Sequence, residues 1–149
     1  MRIVVDTNVV FSAILNTNSK IGKILLHPKS KINFYSTDTL KLEIEEHKSK
    51  IKRLSGLTES EFEIICSLII SRIRFINVEV IPIKILKEAL LLCSDIDIDD
   101  LEFVALTDHA KAKFWTGDKV LSKGLIRKGW KKIITTSDLY ELIRIKRIK

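Results

Sequence analysis

Apolar and polar positions switch between two periods along this chain, and each change of period marks an element. Arg2-Ile3-Val4-Val5 is a short apolar run that stops at Asp6-Thr7-Asn8. Such a run predicts a buried central strand that delivers Asp6 to the carboxyl edge of a sheet. Val9 to Leu15 is mostly apolar and predicts a buried helix, broken at Asn16-Thr17-Asn18. A short helix from Lys20 to Leu26 follows, ended by His27-Pro28. Ile32 to Tyr35 has the β-branched and aromatic character of a second strand, completing a βαβ unit.

Ser36-Thr37-Asp38 offers an N-cap for a helix running to about Leu54 and closed by Gly56. Its apolar stripe is Leu40, Ile44, Ile51 and Leu54, with Glu43 at the border. A capping box, Thr58 with Glu61, opens a helix whose buried stripe is Phe62, Ile65, Cys66, Ile69 and Ile73. Ile76 to Ile81 reads as an edge strand or an extended connection stopped by Pro82, and Ile83 to Cys93 as another helix. Ser94-Asp95-Ile96-Asp97-Ile98-Asp99-Asp100 leads into a helix from Leu101 to Ala112. A strand Lys113 to Thr116 then ends in Gly117-Asp118, repeating the arrangement at Asp6. A helix from Lys119 to Arg127, a turn at Gly129, a strand near Lys132 to Thr135 and a helix from Ser137 or Asp138 to Ile145 complete the pattern. Strands alternating with helices predict an α/β fold with a parallel sheet.

The chain has 149 residues, enough for one domain, and shows neither linker nor repeat. No apolar stretch approaches the roughly 20 residues of a membrane span, and the N-terminus lacks a signal-like pattern. Cys66 and Cys93 sit in apolar helical patterns, as small buried hydrophobes do in a reducing compartment. The expectation is a soluble cytoplasmic protein without membrane association. Residues 1–122 hold 17 basic and 17 acidic side chains, so the net charge of +7 resides in residues 123–149. That segment includes Lys123, Arg127, Lys128, Lys131 and Lys132, then Arg144, Lys146, Arg147 and Lys149. A field of that sign attracts polyanions, and the first five are candidates for contacting nucleic acid.

The chemistry lies in the acids. Asp6 and Asp118 end predicted strands, Glu43 follows the second strand, and Asp100 opens the helix before the third. A doubly wound sheet carries all four to one edge. Asp6 also suits a plain helix cap, and four acids between Asp95 and Asp100 exceed what capping requires. Two unit charges about 5 Å apart repel by about 3 kcal/mol at an effective dielectric near 20, so the cluster calls for a divalent cation. Carboxylates without histidine or thiolate favour Mg²⁺ or Mn²⁺ over zinc. The glycine and closing glutamate of an EF-hand are missing. One or two such ions can polarise a phosphodiester, lower the pKa of a bound water so that it attacks in line, and stabilise the leaving oxygen.

Four motifs in order carry a family resemblance: Asp6-Thr7-Asn8-Val9-Val10 after the first strand, Leu42-Glu43-Ile44-Glu45, Asp97-Ile98-Asp99-Asp100-Leu101-Glu102-Phe103-Val104-Ala105-Leu106, and Trp115-Thr116-Gly117-Asp118-Lys119. Together they resemble a PIN domain (the PilT N-terminus type). The resemblance implies a three-layer α/β/α sandwich around a parallel sheet of four or five strands. It also implies a Mg²⁺- or Mn²⁺-dependent endoribonuclease acting on single-stranded RNA. Many small members are VapC-like toxins, often homodimeric and neutralised by an antitoxin protein. Position by position, the resemblance makes Asp6, Glu43, Asp100 and Asp118 the catalytic metal ligands. Asn8 and Thr116 become supporting hydrogen-bonding groups, and Asp97 a further ligand or water-orienting acid. One departure is Val120, where many relatives carry another acid.

A non-catalytic RNA-binding or protein-interaction module of the same fold is the alternative, but it gives mutually repelling carboxylates no purpose. A phosphorylated-aspartate domain would need an acid beside Asp6, where Asn8 stands. His47, one turn beyond Glu43, reads as a surface or core-edge residue. Trp115 and Trp130 read as core rather than as base-stacking platforms.

Overall fold

The computed structural model describes residues 1–28 and 31–148, with side chains as far as Arg144. The side chains of Lys146 and Arg147, and all of Lys149, lie outside the described residues. The first strand, β1 (Arg2–Val5), occupies the centre of a five-stranded sheet. Parallel pairing joins it on one side to β2 (Asn33–Thr37), which pairs with β3 (Ile73–Ile76). On its other side it pairs with β4 (Lys113–Trp115), which pairs with β5 (Ile133–Ile134). The order is β3-β2-β1-β4-β5, all parallel.

A strand covered on both faces needs apolar side chains at every position, and Ile3, Val4 and Val5 are each wholly buried. Ile3 and Val5 face a layer built from α1 (Thr7–Leu15), α2 (Lys20–Leu25), α3 (Asp38–Ser55), α4 (Glu59–Ser71) and α8 (Thr136–Ile148). Val4 faces a second core with α5 (Ile83–Cys93), α6 (Leu101–Ala110) and α7 (Lys119–Arg127). The result is the expected three-layer α/β/α sandwich. The chain leaves β1 towards β2 and β3, then returns to the other side of β1 as β4. The crevice between the carboxyl ends of β1 and β4 is therefore the topological switch point, where open α/β sheets bind ligands.

Several predicted boundaries move. Ile73 belongs to β3 rather than to the α4 stripe, because it pairs with Phe34 of β2. Its spacing of four from Ile69 satisfies a helix equally well, so the period hides the break. The Ile76–Ile81 segment is a 3-10 turn over Val78–Val80 that Asn77 caps, with Ile81 buried behind it. Leu54, expected in the buried stripe of α3, is 61% exposed, whereas Ile51 one turn earlier is buried in the core with Phe62 of α4. Thr37 occupies the N-cap position of α3 but makes no capping bond through its side chain. The last helix starts at Thr136, before the expected Ser137 or Asp138. Thr135 and Asp138 cap it reciprocally, each side chain accepting from the other's backbone N–H. Helix α6 ends two residues short of Ala112, at Lys111 in the left-handed region (φ 54°). Among the described residues, no helix is long and apolar enough to cross a membrane.

Candidate metal centre

Strand ends and helix starts deliver acids to the switch point. Asp6 follows β1, is 3% exposed, and caps α1 by accepting from the Val9 N–H at 2.9 Å. Its other oxygen accepts from the Thr116 hydroxyl at 2.6 Å. That hydroxyl in turn accepts from the Asp118 N–H at 3.1 Å, so Thr116 ties the two strand-end aspartates together. Asp118 caps α7 through Leu121 N–H at 3.0 Å. Capping and clustering therefore coexist in the same side chains.

Asp100 stands at the start of α6 and makes no side-chain capping bond, so its carboxyl faces the other acids rather than the helix backbone, with Asp97 beside it. Asp97, Asp100 and Asp118 each present an oxygen within 4.8 Å of the other two. Asp6, Glu43 and Asp99 join these three in lining one cavity of about 220 Å³, together with Thr7, Asn8 and Phe103. Among the described residues, no lysine, arginine or histidine lines it. Burial pushes the Asp100 carboxyl up to about 7, with added repulsion from Asp97, Asp6 and Asp118. Burial likewise raises Asp6, against the opposing hydrogen bonds from Thr116 and Val9. Glu43, half-buried on α3, is raised by burial, while the nearby Thr7 hydroxyl and His47 pull it the other way.

An all-oxygen donor set concentrated in one cavity without a neutralising base fits a hard divalent ion. The four acids read from sequence as ligands share this cavity with Asp97 and Asn8, and Thr116 sits directly behind Asp6. The tightest group, however, is Asp97, Asp100 and Asp118 rather than the four strand- and helix-borne acids. Asp99 and Thr7 line the cavity as well, beyond the residues that the sequence marks as ligands or their supports. The run of acids was the available signal for Asp99, and the sequence carries none for the burial of Thr7.

The basic residues do not gather beside the cavity. Lys131 and Lys132 immediately precede β5, at the amino edge of the sheet, opposite the acids. Lys132 is paired with Asp108, and Lys128 with Asp95 and the Leu92 carbonyl. Lys123 and Arg127 are exposed along α7. Trp115 and Trp130 are core residues, at 0% and 7% exposure, with indole N–H groups donating to Thr136 and Asp108. His47 is exposed, its ring edge against Phe11.

A family model for the PIN domain matches residues 4–137, a span that begins in β1 and ends in α8. The chain belongs to the PIN domain family. No curated protein matches it. Among solved structures it is similar to a chain in the crystal structure of VapBC2 from Rickettsia felis bound to a DNA fragment from their promoter. That likeness has a TM-score of 0.64 at 15% identity and covers 91% of this chain and 97% of the other. It is a likeness of fold. The PIN fold thus accounts for the sheet order and for the crevice that gathers the acids.

Proposed function

We propose that this PIN domain is a divalent-metal-dependent endoribonuclease that hydrolyses phosphodiester bonds of single-stranded RNA. The carrying observation is the cavity at the switch point, lined among the described residues by six carboxylates and no basic side chain. Asp6, Glu43, Asp100 and Asp118, with Asp97, would hold Mg²⁺ or Mn²⁺. When bound, such an ion polarises the phosphodiester and lowers the pKa of an attacking water. The protein's own part is to position. Thr116 and the Val9 N–H fix both Asp6 oxygens, and the Leu121 N–H orients Asp118. Asp100, free of capping duty, takes up a proton in the metal-free protein near neutral pH and gives it up to a cation.

Likeness to a chain of a VapBC2 assembly supports reading this protein as the toxin of a toxin–antitoxin pair, with an antitoxin protein and a second copy of itself as partners. Exposed lysines and arginines of α7 and the following turn supply sequence-independent phosphate contacts. A labelled single-stranded RNA incubated with Mn²⁺, Mg²⁺ or EDTA tests the activity, with Asp118→Asn and Asp6→Asn purified in parallel. Metal-dependent cleavage should fall at least a hundredfold in both variants and vanish in EDTA. Cleavage that survives both substitutions would refute the assignment.

A further inference from the structure

Thr7 is the second residue of the strand-end motif and the first of α1, and it is 7% exposed. Its hydroxyl makes no hydrogen bond of good geometry among the described residues, although it lines the acidic cavity and lies close enough to the Glu43 carboxylate to pull its pKa down against the effect of burial. A buried threonine within a helix ordinarily bonds back to the preceding turn, as Thr107 does to the Phe103 carbonyl at 2.7 Å. Thr7 has no preceding turn to bond to. A buried hydroxyl left unpaired costs about 1–3 kcal/mol, which valine of nearly the same shape would avoid. Thr37, wholly buried and likewise unpartnered, comes opposite Asp6 when the Val4–Tyr35 register is continued by two residues. Two unsatisfied hydroxyls therefore flank the best-anchored acid of the site, and Thr7 is the one that faces the cavity.

Glu43 is the acid most in need of a fixed donor. It stands outside the tight Asp97, Asp100 and Asp118 group and has three rotatable bonds, whose freedom costs energy to freeze. Thr7 is stiff at its β-branched carbon and seated on buried backbone, and it lies near Glu43 without making a hydrogen bond of proper geometry. We propose that Thr7 is the positioning residue for Glu43: with a divalent cation in the cavity, its hydroxyl donates to the Glu43 carboxylate and holds it at the edge of the aspartate cluster. This rests on the metal reading above.

The test is Mn²⁺ binding by calorimetry to metal-stripped wild type, Thr7→Val, Thr7→Ser, Glu43→Gln and the double variant Thr7→Val with Glu43→Gln. Thr7→Val should weaken Mn²⁺ by about tenfold, the usual effect of removing a group that orients a ligand, and Thr7→Ser should restore most of it. In the Glu43→Gln background, Thr7→Val should have no further effect. Thermal unfolding in EDTA should show Thr7→Val no less stable than wild type, since its hydroxyl makes no hydrogen bond of good geometry in the metal-free protein. Wild-type affinity in Thr7→Val, or an equal loss with Glu43→Gln already present, overturns the proposal. So does an earlier unfolding of Thr7→Val in EDTA with no rescue by serine, which assigns Thr7 to packing. Absence of Mn²⁺ binding by the wild type instead removes the metal reading itself, a result distinct from all of these.

Discussion

Asp6 caps a helix and anchors the acidic cluster with the same carboxylate, and Thr116 makes this possible. The Thr116 hydroxyl donates to Asp6 and accepts from the Asp118 N–H, so a single oxygen sets the spacing of two strand-end acids. A carboxylate that is 3% exposed cannot turn to water when a donor is removed. Thr116→Val, similar in shape, should therefore lower stability at pH 7 by about 1–3 kcal/mol in urea unfolding and raise the Asp6 pKa further. Thr116→Ser should retain wild-type stability to within about 1 kcal/mol, because it keeps the hydroxyl. An unchanged urea midpoint for Thr116→Val would mean that the hydrogen bond contributes nothing.

At the level of elements, the layer over Ile3 and Val5 depends on a close approach between the α1–α2 connection and α2. Asn16 and Ser19 organise that connection: the Ser19 hydroxyl donates to the Asn16 carbonyl and accepts from the Gly22 N–H. Gly22 is buried, and a Cβ there would lie 2.5 Å from the Thr17 carbonyl oxygen. The obstacle is backbone, which cannot swing aside as the end of a side chain would. Gly22→Ala should cost about 1–3 kcal/mol, typical of overpacking, and should loosen α2 against α8. Amide hydrogen exchange would place the loss in α2 and the end of α1, leaving β4 and α6 protected. Uniform exchange across the sheet would contradict this account.

The whole molecule concentrates negative charge at the carboxyl edge of its sheet, while Lys131 and Lys132 stand at the amino edge. The acidic cavity is consequently a cost to the metal-free fold, and its sign can be worked out at Asp100. Folding raises that carboxyl from 3.8 to about 7, so between those values the folded protein binds more protons than the unfolded chain. Stability in EDTA should then fall as pH rises from about 4 towards 7. Saturating Mn²⁺ should remove the fall, and Asp100→Asn should lessen it without metal, leaving the part that the raised Asp6 and Glu43 contribute. Denaturant midpoints at pH 5 and pH 8, with EDTA or with Mn²⁺, check each point. A metal-free wild type that gains stability over this range relative to Asp100→Asn would contradict the cavity's electrostatics.

The alternation of apolar strands with amphipathic helices, the terminal acids of β1 and β4, and the capping box of α4 are local facts. Each follows from neighbours within about one turn, so the sequence alone determined the parallel α/β class and which acids share an edge. Tertiary structure decided what depends on partners distant in the chain. Ile73 is a strand residue because Phe34 pairs with it, and Leu54 is exposed although it keeps the helical spacing of the buried Ile51. Asp97, read as an additional acid, enters the tightest group because the loop before α6 brings it towards Asp118 of another element. Thr7 lacks a hydrogen bond of good geometry because it is buried at the first residue of α1, with no preceding turn to offer a carbonyl. Register, coverage and polar satisfaction are sums over contacts far apart in sequence, which no local period records.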